Sequence, residues 1–216
     1  MTAVPILYSR NACPHSARAR LALLYAGLPC ELRAIDAGDL PAGLTALPCL
    51  WLGDASVNDS LAIMRWALAR RPDLPLWPEI RVRQQSIENL VRIVDGPFAE
   101  ACDLYRRLPL PPRAGHRDYR AEAEIFLAQL EARLARMSYL VGDSETVADL
   151  AILPFIHQFA EVDRTWFDVS PYRRLRAWLA GYRDNALWRQ AQQDAPRWHA
   201  DAQPTYLNAP ARRASA

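Results

Sequence analysis

The opening stretch of the chain changes period twice, and this constrains the fold more than any other feature. Val4-Pro5-Ile6-Leu7-Tyr8 is a short apolar run of strand type, whereas Ala17, Leu21, Leu24 and Leu28 recur at i, i+4, i+7 and i+11. That second spacing marks one face of a helix over residues 14–26, with Arg18 and Arg20 pointing elsewhere and Gly27 placed to stop it. Glu31-Leu32-Arg33-Ala34-Ile35 then alternates polar and apolar residues, which predicts a second strand. Strand, helix and strand in this order imply a right-handed parallel βαβ unit.

The switch from the first strand to the helix is Tyr8-Ser9-Arg10-Asn11-Ala12-Cys13-Pro14-His15-Ser16. Proline suits the first helical position, where its missing N–H would have had no partner. Pro14 therefore places Cys13 at the helix N-terminus, where unpaired N–H groups and the positive end of the dipole favour an anion. A thiol in such a place tends toward thiolate, the nucleophilic form.

Farther along, Asp36 to Leu47 leaves room for one or two helical turns, and Pro48 to Leu52 predicts a strand that opens on proline. Gly53-Asp54 turns it into a short return strand, and Asn58-Asp59-Ser60 supplies capping residues for a helix through Ile63, Met64, Trp66 and Ala67. Residues 70–79 carry three prolines and no period, which predicts a linker between a domain at 1–70 and another at 80–216.

Beyond the linker the pattern is helical: Val82 to Tyr105 with a bend near Gly96-Pro97, Tyr119 to Met137, Thr146 to Phe159, Leu175 to Tyr182 and Ala186 to Gln193. Leu108 to Gly115 predicts a loop, and the tail from Asp201 a loose segment unless it docks. Trp166, Trp178, Trp188 and Trp198 read mainly as core, with a hydrophobic cleft as the alternative.

Charge and cysteine usage narrow the function classes. The 26 basic and 24 acidic residues are interspersed, so nucleic acid is not an implied partner. No apolar run approaches the roughly 18 residues of a membrane span. The segment from Met1 to Pro5 has neither a basic n-region nor an apolar h-region, so a cytoplasmic protein is expected. Cysteines at 13, 30, 49 and 102 form no CxxC pair and share no ligand spacing with histidine, so neither disulfides nor a metal site is expected.

Taken in order, these motifs resemble the cytosolic glutathione transferases. Cys13-Pro14-His15-Ser16 is similar to the active-site corner of glutaredoxins and of the cysteine-type omega and beta classes. Leu47-Pro48 stands where that family has its cis-proline, and Asp59-Ser60 where it has an acidic residue followed by serine. Thr146-Val147-Ala148-Asp149 matches the capping box of the buried helix in the second domain. The resemblance spans residues 4–190 and implies an α/β thioredoxin-like N-terminal domain followed by an all-α C-terminal domain.

It further implies glutathione as co-substrate, Cys13 as nucleophile and a homodimer. Leu47 would bond the cysteinyl part of the tripeptide beside Pro48, Ser60 would bind the γ-glutamyl carboxylate, and Asp59 would meet the γ-glutamyl ammonium. For the glycyl carboxylate the segment before Pro48 offers no Lys, Arg or Gln, which leaves Arg10 or Arg33 as substitutes. His15 replaces the family's Phe or Tyr, and reads either as a proton-transfer aid or, more simply, as a histidine without a role. Ser16 occupies the place of a second thiol and either bonds the sulfur or caps the helix.

The implied activity is thiol–disulfide exchange or deglutathionylation through one cysteine, on a disulfide or electrophilic small molecule. Two alternatives stand beside it: conjugation of glutathione to hydrophobic electrophiles, and a non-catalytic interaction protein like the stringent-starvation family.

Overall fold

The computed structural model describes residues 4–107 and 117–209. The proline-rich stretch Leu108 to Gly115, predicted as a loop, lies outside them. Internal contacts divide the chain into the described part of Met1–Leu74 with Asp184–Ala216, and the described part of Pro75–Arg183.

The first unit is built on the predicted βαβ element. β1 (Ile6–Ser9) runs parallel to β2 (Cys30–Ala34), with α1 (Pro14–Tyr25) as the crossover. Gly27 ends α1 as expected: at φ 63 it adopts the left-handed conformation open to glycine, so that Gly27 N donates to Leu24 O and Leu28 N to Leu23 O. A single 3-10 turn, Ala37–Asp39, follows β2. β3 (Cys49–Trp51) returns antiparallel to β1, β4 (Ser56–Asn58) pairs with β3, and α2 (Ser60–Leu68) packs against α1. Leu7, Leu21, Leu50, Ile63 and Met64, all fully buried, fill the layer between sheet and helices.

The end of the chain belongs to this unit as well. After α9 (Ala186–Gln192) it runs back along the sheet, and Thr205–Leu207 forms β5, antiparallel to β2, giving the order β4-β3-β1-β2-β5. The expected loose tail is thus a docked edge strand, and the expected extension of the second domain to residue 216 ends instead at Arg183. Pairing explains both differences: β2 presents an open row of N–H and C=O groups that β5 satisfies. Asn208 completes the seam by donating its side-chain amide to Leu23 O (3.0 Å) and Leu28 O (3.2 Å) at the end of α1.

The second unit is helical: α3 (Arg81–Ile93), a π turn at Val94–Phe98, α4 (Ala99–Arg107), α5 (Tyr119–Leu134), α6 (Val147–Val162), α7 (Arg164–Val169) and α8 (Arg173–Gly181). The predicted bend falls at Gly96-Pro97 inside the π turn, and α7 is an element that its six residues had hidden from periodicity. Phe98, Tyr105, Phe126 and Phe159 cluster with ring centroids 5.1–5.8 Å apart. Thr146 and Asp149 form the predicted capping box of α6. Trp178 and Trp188 are core residues; Trp166 and Trp198 are half-buried. No helix among the described residues is long and apolar enough to cross a membrane.

Candidate functional site

The sheet register gathers the motif residues at one end of the first unit. Tyr8 lies opposite Cys49, and Cys49 opposite Asn58. The segments that follow β1, precede β3 and follow β4 therefore leave the sheet at the same edge. They carry Cys13, Leu47-Pro48 and Asp59-Ser60 respectively.

Cys13 is the N-cap of α1, at φ −118 and ψ 121, with Pro14 at the first helical position and Cys13 O accepting from Ala17 N at 2.9 Å. The residue is buried, 8 % exposed. Cys30, Cys49 and Cys102 are free thiols too, but burial pushes each of them up, Cys30 to about 12. Protonated thiols are poor nucleophiles. Among the four, Cys13 is the one that caps a helix N-terminus.

Ser16 is fully buried and accepts from Arg10 N at 3.0 Å, so its hydroxyl closes the 10–16 loop. Neither expected role is the one observed: α1 has no side-chain cap, and the Ser16 hydroxyl is taken by the Arg10 main chain. Arg10 is exposed and contributes its main chain to the same loop. The Leu47–Pro48 peptide is cis. Pro48 is buried and Leu47 half-buried, and among the described residues Leu47 has no hydrogen-bond partner for its main chain.

Asp59, at φ 63, caps α2: its Oδ1 accepts from Leu61 N and Ala62 N, both at 2.8 Å. Ser60 begins α2 and is 2 % exposed. Its Oγ accepts from Arg18 Nε at 3.0 Å and Arg18 Nη2 at 2.7 Å, with His15 Nδ1 3.4 Å from the same oxygen. Arg18 is itself 1 % exposed. A buried guanidinium beneath a helix N-terminus adds a full positive charge to the partial one of the helix end. The arrangement suits an anionic group at Ser60.

Arg33, one substitute for the glycyl end, is already engaged: it donates to Glu31 (2.6 Å) and Tyr8 (3.1 Å) and lies 4.5 Å over the Trp198 ring. Sequence reasoning placed Arg18 and Arg20 off the apolar face of α1 and missed both as site residues. A signal was available. Ala17 to Leu24 offers small or apolar residues on every side of α1, so neither arginine had a solvent face to occupy, and both are buried. Among the described residues no group of His, Cys, Asp or Glu could hold a metal ion.

Comparison with known proteins bears on this site. Residues 7–75 match the family model described as glutathione S-transferase, N-terminal domain, and residues 113–181 the model for the C-terminal domain; together they cover more than half the chain. A probable maleylacetoacetate isomerase of Caenorhabditis elegans is 28% identical over 183 residues, 78% of this chain and 83% of that protein. Glutathione S-transferase GstB of Escherichia coli K12 is 29% identical over 146 residues, 64% of this chain and 68% of GstB. Among solved structures, a glutathione S-transferase from Methylobacillus flagellatus with glutathione bound superimposes with a TM-score of 0.72 at 19% identity, covering 87% of this chain and 98% of that one.

Proposed function

The chain belongs to the glutathione S-transferase superfamily, and from that premise we propose that it is a glutathione-dependent thiol transferase acting through Cys13. The observation that carries the reading is the corner itself. Cys13 caps α1 with Pro14 behind it, while Ser16, in place of a second thiol, is committed to Arg10 N. A lone thiol of this kind works in two steps. The Cys13 thiolate attacks the glutathione sulfur of a mixed disulfide, forming a Cys13–glutathione disulfide and releasing the substrate as a thiolate. A second glutathione thiolate then attacks the glutathione sulfur on Cys13, which regenerates the Cys13 thiolate and yields oxidised glutathione.

The peptide would lie along Leu47, whose main chain has no partner among the described residues. Its γ-glutamyl carboxylate would meet Ser60. Because Arg18 donates two N–H groups to Ser60 Oγ, the hydroxyl keeps its proton to donate, to a bound carboxylate or to His15 Nδ1 3.4 Å away. Asp59 Oδ1 is taken by the α2 cap, so Oδ2 is the oxygen assigned to the ammonium. Incubation with oxidised glutathione should add one glutathione to Cys13, read by intact mass and peptide mapping. Absence of that adduct rejects the assignment.

The curated relatives favour a second reading, since one is named a glutathione S-transferase and the other a probable maleylacetoacetate isomerase. Here the sulfur of glutathione would attack an electrophile directly. A chloroaromatic acceptor turned over faster than a disulfide, and faster still in Cys13→Ser, would establish it. The homodimer that the resemblance implies is checked by light scattering.

A further inference from the structure

The loop that carries Cys13 is held from the far end of the chain. Asn11 donates Nδ2 to Ala195 O at 2.8 Å and accepts from Ala195 N at 3.2 Å, a two-way pairing between side chain and main chain. Arg20, 2 % exposed, ties the same elements together: Nε to Ser9 Oγ (2.9 Å), Nη2 to Arg10 O (3.4 Å) and Asn11 Oδ1 (3.1 Å), and Nη1 to Gln193 O (2.9 Å). Between Asn11 and Cys13 stands Ala12 at φ 49, a left-handed conformation that is strained for a residue with a β-carbon. Such a conformation persists where its surroundings over-determine it.

We propose that Asn11 and Arg20 are positioning residues for Cys13, and that they act through the main chain of residues 193–195, so that the reactive geometry exists only while the returning segment is docked. The inference rests on the reading of Cys13 as the reacting thiol. Ala12 is fixed between two anchors, the Asn11–Ala195 pair on one side and the start of α1 on the other. Without the first anchor the strained turn relaxes and the sulfur leaves its place at the helix end. Arg20 adds charge as well as bonds. Burial pushes its guanidinium down from the ordinary value, and Asp194 and then Cys13 push it back up. Neither matched family model includes residues 184–209, so this arrangement lies outside what the two models describe.

The test uses the full chain with Asn11→Ala, Arg20→Met and Arg20→Lys. Cys13 is followed by iodoacetamide alkylation and by adduct formation with oxidised glutathione, the Ala195 amide by hydrogen exchange, and the fold by thermal melting. Asn11→Ala should speed exchange at Ala195 and lower both Cys13 rates by about tenfold or more, the scale expected when a reacting group is misplaced by a fraction of an ångström. Arg20→Met should do the same, and Arg20→Lys should recover part of the loss, a rescue that simple packing would not produce. Folded variants whose Cys13 rates stay within twofold of the parent overturn the proposal, whatever happens at Ala195. Should Asn11→Ala not fold, the Arg20 pair decides: equal rates in Met and Lys variants overturn it. If the parent alkylates at Cys13 but forms no glutathione adduct, the proposed function fails while the alkylation data still judge the positioning.

Discussion

Arg18 donates from Nε and Nη2 to a single acceptor, the hydroxyl oxygen of Ser60, and so links the middle of α1 to the first residue of α2. The link serves two ends. It anchors a buried charge, and it leaves the serine hydroxyl as a donor at a helix N-terminus. Ser60→Ala removes the acceptor and should cost about 1.5–3 kcal/mol of stability, the range for a hydrogen bond to a charged group. Urea denaturation measures that loss, and retention on glutathione-agarose should fall with it. A variant with parental stability and retention would show that Arg18 does not depend on this hydroxyl.

Cys30 gives the alkaline limb of stability. Burial, the largest cause, holds its thiol up at about 12, while a thiol in the unfolded chain titrates near 8.5. The neutral thiol is therefore favoured by the fold: its contribution is complete below about pH 8.5 and is lost as pH rises toward the folded value. Each such group steepens the fall by up to about 1.4 kcal/mol per pH unit. The urea midpoint measured from pH 8 to pH 11 should decline, and Cys30→Ala should make that decline shallower even though the cavity lowers its absolute stability.

Asp149 tests the second unit. Its Oδ1 accepts from Leu140 N (3.0 Å) and Trp178 Nε1 (3.1 Å), and its Oδ2 from Thr146 N (2.9 Å) and Thr146 Oγ1 (3.0 Å). Both oxygens face donors, so in Asp149→Asn either orientation of the amide sets its NH₂ against an N–H. A loss of about 2–4 kcal/mol is expected, since a buried polar group is left facing a like group. Calorimetry should show it as a lowered melting temperature. An Asn variant as stable as the parent would mean that the carboxylate is not the organising acceptor.

Asn208 separates a bond from a backbone conformation. It lies at φ 48 and bonds Leu23 O and Leu28 O. Asn208→Gly loses the bonds but accepts the left-handed backbone. Asn208→Ala loses both, and should be less stable than the glycine variant by about 1 kcal/mol. Denaturation midpoints ranking alanine at or above glycine would contradict this.

What could be read from the sequence was what is encoded locally. Pro14 after Cys13, Gly27 after α1, Asp59 before α2 and the Thr146–Asp149 box each act within a turn of chain, and each is found where expected. The hidden part depends on distant partners. Thr205-Tyr206-Leu207 is too short to show a period, and what identifies it as a strand is its pairing with Leu32, Glu31 and Cys30 opposite. The spacing of α1 sets Arg18 and Arg20 off its apolar face but says nothing of their burial, which Ser60, Ser9, Asn11 and Gln193 compensate. Only the fold brings those partners near.

The pairing of β5 with β2 also orders events in time. Leu32 waits for Thr205, roughly 170 residues later in synthesis. At translation rates of about 5–20 residues per second, the nascent N-terminal unit spends roughly 10–35 s with the outer edge of β2 open and Ala195 not yet made. An open edge is a template for pairing with another nascent chain. The last strand therefore governs the yield of soluble protein as well as the shape of the sheet, and slowing translation late in the message should raise the aggregated fraction.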